Sequence, residues 1–209
     1  MSGTSTLSIM PIAVLAPALF GIAFVFLILL TTVYGPRVHD VDHVILLARK
    51  LDPSDLETLL DAGEEWRLRQ SLTAAAFRTA QADRILLTRE YLRRLTHNTG
   101  LIQLWVMREK QQLVGRKCAD GTGRNSLIAE AAQLALELRI YSIFASFTIW
   151  FWVAFRAHLW PGSLIPGVTT LRVQCGVNVI EKYRKLTALA VALGAEHGRA
   201  CHDRLLEAL

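Results

Sequence analysis

The sequence predicts an all-α protein: an N-terminal transmembrane helix, then a helical cytoplasmic domain carrying a second, aromatic helix that is membrane-associated or covered by a partner. Three observations predict it. Residues 12–30 form a run of nineteen without a single charge. After that run, every strong hydropathy signal repeats at three and four residues, the helical period. Residues 140–160 are apolar on all sides.

The first run is long enough to cross a bilayer, since roughly 20 apolar residues at about 1.5 Å rise span the ~30 Å hydrocarbon core. A cleaved signal peptide would need a basic leader, and residues 1–7 hold no Lys or Arg. Retention as an anchor is the expected outcome. Pro11 suits a first turn and Pro17 favours a kink. The first basic residue is Arg37, followed by Arg49 and Lys50. The positive-inside rule therefore puts Met1 outside and the rest on the cytoplasmic side of an inner membrane.

Composition narrows the function classes. The net charge is +5 over 209 residues. Residues 34–139 hold 16 of the 23 Lys and Arg and 14 of the 18 Asp and Glu, a mixed solvated surface that does not resemble a nucleic-acid arm. Its small basic excess also suits a surface near anionic headgroups. Three widely spaced cysteines, Cys118, Cys175 and Cys201, offer no disulfide framework and fit a reducing compartment.

The chain divides into four regions: an anchor over 1–35, a helical cytoplasmic region over 36–138, an aromatic segment over 139–167 and C-terminal helices over 168–209. Val38, Val41, Val44, Ile45 and Ala48 form one apolar stripe, predicting an amphipathic helix just below the membrane. Asp52-Pro53 restarts a helix as N-cap and first residue, and Gly63 is placed at its end. From Glu64 the pattern predicts one helix to His97, with Trp66, Leu72, Ala76, Ala80, Leu87, Tyr91 and Leu95 roughly on one face. Asn98-Thr99-Gly100 reads as an interruption, and Leu101 starts a further helix to Val114. The glycine-rich stretch 115–125 reads as a loop, with a helix after it. Residues 177–193 and 196–208 predict final helices, with Ile180, Tyr183, Leu186, Leu189, Val191 and Leu193 as apolar contacts and Lys182, Arg184 and Lys185 solvated. Only a weak alternating pattern, near residues 169–179, hints at anything extended.

The aromatic segment carries the strongest functional signal. Eight of the 17 aromatics lie between Tyr141 and Trp160. Tyr141, Phe144, Phe147, Phe151 and Phe155 share one helical face, while Trp150, Trp152 and Trp160 fit an interfacial belt. A helix apolar all round sits in lipid or inside a large protein, and this chain is too small to wrap it. Its uncharged part, residues 140–155, is short for a span, with Arg139, Arg156 and His158 placed to snorkel. A second span, an interfacial segment and a partner-covered helix are the three readings. The docking residues expected are Phe144, Phe147, Trp150, Phe151, Trp152, Phe155 and Trp160.

No catalytic or cofactor constellation emerges. His197, Cys201 and His202 are the nearest approach to a metal cluster, but a tetrahedral site needs more ligands. Cys201-His202 lacks the first cysteine of a covalent haem motif. Residues 120–124 are glycine-rich without the Walker pattern. His39 and His43 fall one turn apart beside Asp42, where a solvated helix face is the simpler reading.

The sequence therefore leads to the expectation of a non-catalytic accessory or assembly subunit of a larger membrane protein complex. An energy-converting host, such as a photosynthetic reaction centre with its antenna or a respiratory complex, is one natural setting. Its partners would be other membrane protein subunits and the lipid bilayer, with no nucleic acid, cofactor or metal. The opposing expectation is a membrane-tethered metal- or cofactor-binding module.

Overall fold

The computed structural model describes residues 40–115, 122–159, 179–195 and 198–209; of 113–115, 122, 151–152, 154–159 and 199 it describes the backbone alone. The expected anchor at residues 12–30, His39, the start of the weak extended stretch and Trp160 lie outside the described residues. The chain divides into two units, Met1–Pro36 and Arg37–Leu209, and every described residue belongs to the second.

Among the described residues every element is a helix: α1 Val41–Leu47, α2 Pro53–Leu59, α3 Ala62–Ser71, α4 Ala74–Gly115, α5 Thr122–Leu159, α6 Val179–Ala195 and α7 Arg199–Ala208. The all-α prediction holds for these residues. None of these helices is long and apolar enough, over the described residues, to cross a membrane.

The frame is the antiparallel pair α4–α5. These helices have 42 and 38 residues, far longer than a mean helix. Gln103 meets Arg139 at 3.1 Å, and Glu109 meets Arg124 at 2.9 Å, so the register runs down the pair. One core gathers Leu95, Leu101, Ile102, Trp105 and Val106 of α4 with Ile128, Ala131, Ala135 and Leu138 of α5. Ile180, Tyr183, Leu186 and Leu193 of α6 close it, with Val41, Val44, Leu51, Leu56 and Leu205 from the shorter elements. A second, smaller cluster, Ile85, Leu92, Ala145 and Ile149, continues toward the far end of the pair.

α1 and α2 have seven residues each, too short to stand alone in water. They are held by caps and by long-range bonds. Asp40 accepts from Val41 N at 2.7 Å, and Asp52 accepts from Ser54 N at 2.9 Å. At their other ends, His97 Nε2 lies 3.0 Å from the Leu47 carbonyl, and Arg84 donates to the Leu59 carbonyl at 2.7 Å. The Arg84 cation at a helix C-terminus meets both an orphan carbonyl and the dipole.

Asn98 ties these pieces together. Its Nδ2 donates to the Arg49 carbonyl at 2.7 Å, and its Oδ1 accepts from Arg49 N–H at 2.9 Å. Nδ2 also donates to Tyr183 Oη at 3.1 Å, and that hydroxyl donates to the Leu209 carbonyl at 3.3 Å. The α1–α2 connection, α4, α6 and residue 209 thus meet at one buried carboxamide.

Several boundaries differ from expectation. α2 stops at Leu59, before Gly63, because Arg84 caps it there and Asp61 opens α3 by accepting from Gly63 N at 3.1 Å. The single helix expected over 64–97 is broken at Leu72-Thr73. Trp66, Leu72, Ala76 and Leu87 are exposed. The interruption expected at Asn98-Thr99-Gly100 does not occur; α4 runs straight through. Thr99 Oγ1 bonds back to the Leu95 carbonyl at 2.8 Å, Asn98 turns its amide outward from the helix, and a side chain added at Gly100 would face the Arg139 guanidinium. α5 begins at Thr122, a turn early. The six apolar contacts expected on α6 all face the core, Leu189 partly. α6 and α7 approach closely where Gly194 lies, since a Cβ there would clash with Leu205 Cδ1. Gly198, at φ 123°, makes the turn between them.

Two outcomes test this frame. Asn98→Ala leaves two Arg49 backbone groups without their side-chain partner, removes one of the two bonds of the Tyr183 hydroxyl, and lowers stability by about 2–3 kcal/mol. Denaturant unfolding of the full chain in mild detergent measures it. Burial pushes the Tyr183 hydroxyl above the ordinary tyrosine value, and the bond from Asn98 pulls it partly back. The folded state therefore holds this proton more tightly than the unfolded state does. The Tyr183 contribution to stability is constant below pH about 10, where a free tyrosine ionises, and is lost above it. Tyr183→Phe makes that alkaline fall shallower in a pH series of melts. Some slope remains from Tyr91, which is also raised, chiefly by donating to Asp55.

Candidate functional site

The site is the outer face of α5. From its start, the outward residues are polar or small: Asn125, Ser126, Ala129 and Gln133 are all exposed. One turn on, the same face becomes Leu136, Ile140, Phe144, Phe147 and Trp150. Steps of four, four, three and three keep these side chains in one ridge along the helix. Ile140, Phe144 and Trp150 are 39%, 46% and 54% exposed. Phe147 is half-buried, with its ring 5.7 Å from that of Trp150. The opposite side of α5 is buried through Ala131, Ala135, Leu138, Ser142, Ala145 and Ile149.

The hydroxyls of this region turn back on their own helix. Thr148 Oγ1 donates to the Phe144 carbonyl at 2.9 Å, and Ser142 Oγ donates to the Leu138 carbonyl. In an apolar setting such back-bonding satisfies a hydroxyl that has no other partner. On the α6 side the ridge is bounded by ion pairs. Lys182 bonds Glu137 at 2.6 Å and lies 5.4 Å over the Tyr141 ring; Lys185 pairs with Glu130 at 2.6 Å. The Lys182 ammonium, with Gln133, holds Glu137 below the usual carboxylate range.

Arg139 is a correction. Its sequence position suggested a headgroup anchor, but it is buried between α4 and α5, beside Gln103 and Gly100. The physical reason is angular: Arg139 follows the core residue Leu138 and lies three before the core residue Ser142, on the side that faces α4. Tyr141 also departs from expectation, half-buried beneath Lys182 and off the ridge on which Phe144 stands.

Of the other docking candidates, Phe151, Trp152 and Phe155 belong to α5 by backbone alone. Leu136 and Ile140 were missed. Their four-residue spacing into Phe144 was the available signal.

Two of the three metal candidates, Cys201 and His202, lie among the described residues. His197 lies outside the described residues. Cys201 and His202 are adjacent on α7 and half-buried, with the thiol free and His202 Nδ1 enclosed without a hydrogen-bond partner. Among the described residues no group of three or more His, Cys, Asp or Glu could hold a metal ion. His43 is exposed on α1. The end of the glycine-rich stretch is the first turn of α5, and its Arg124 turns to Glu109 on α4.

Compared with known proteins, the chain matches no family model, no curated protein and no solved structure.

The α7 residues generate a direct test. Elemental analysis of the purified full chain should find metal below one equivalent, unchanged in the His197→Ala, Cys201→Ala double variant. One equivalent of metal that disappears in the variant would establish a metal site.

Proposed function

We propose that this chain is a non-catalytic accessory or assembly subunit of a larger membrane protein complex. In this reading residues 12–30 anchor it, Met1 lies outside, and the helical unit faces the cytoplasm. The observation that carries the proposal is the α5 ridge. A small helical unit that buries one side of a 38-residue helix and leaves an aromatic ridge on the other requires an apolar neighbour. A solvated ridge of this kind is a liability for a free protein. Against a membrane assembly it becomes the seating surface. Charges beside it are engaged with one another in ion pairs.

The second reading, a membrane-tethered metal- or cofactor-binding module, draws on the partnerless His202 Nδ1 beside Cys201. Elemental analysis of the chain and its His197→Ala, Cys201→Ala double variant decides it.

The ridge must stay apolar for the subunit to seat. Replacing Ile140, Phe144 and Trp150 together by Ser is expected to reduce co-purification of neighbouring subunits in mild detergent by tenfold or more, on the scale of about 1.4 kcal/mol per tenfold. The variant should still sediment with membranes through residues 12–30. Co-purification at wild-type yield would remove the ridge as the docking surface.

A further inference from the structure

We draw no further inference here: the strongest candidate, the exposed surface patch of Leu86 and Leu87 on α4, is an unpartnered apolar face, and nothing in the structure shows what covers it.

Discussion

The rest of the helical unit depends on one buried carboxamide. Asn98 sits fully buried in α4 and pairs with both the N–H and the carbonyl of Arg49, forty-nine residues earlier in the chain. Helices of seven residues have no independent stability, so α1 and α2 need a fixed point between them. Asn98 supplies that point, and through Tyr183 extends it to α6 and to residue 209. His97 and Arg84, one residue and four turns before it on α4, cap the two short helices at their C-terminal ends. α4 is therefore both a wall of the core and the template on which the N-terminal half of the unit is assembled.

The pairing of α4 with α5 follows a different logic. Two helices of this length with apolar facing sides could slip by a turn at little cost. The buried polar groups along the seam resist this. Arg139 meets Gln103 where Gly100 leaves room for the guanidinium, and Arg124 meets Glu109 further along the pair. A slip would strand a cation in the core without these partners, a large penalty compared with a lost apolar contact. In this reading the polar seam sets the register, and the register sets which residues of α5 face outward. The ridge from Leu136 to Trp150 is exposed because Leu138, Ser142, Ala145 and Ile149 are committed to α4.

Helical periodicity identified the helical regions that the structure describes, the N-cap at Asp52, and the apolar set on α6 from Ile180 to Leu193. It also singled out Phe144, Phe147 and Trp150, which stand on the outward ridge of α5. Trp66, Leu72 and Leu87, which it set on one face with Leu95, are exposed: Trp66 precedes and Leu72 stands at the break at Leu72-Thr73, while Leu87 lies within α4. It read Asn98-Thr99-Gly100 as a helix breaker, because locally those residues favour turns. Asn98 is instead satisfied by partners that no local window contains.

By itself, then, the sequence determined the all-helical class and which stretches are apolar, because both follow from spacing within a single turn. It could not determine which side of an apolar helix is covered. Ile143 and Phe144 are adjacent and equally apolar, yet one is buried and the other exposed. Only the partner helix decides between them. The same holds for Arg139, whose burial depends on Gln103, thirty-six residues away, and for Asn98, whose bond to Tyr183 crosses eighty-five residues. Tertiary structure fixed these because a buried polar group takes whatever partner the packing brings within reach. Periodicity records the face of a helix and carries no information about its neighbour.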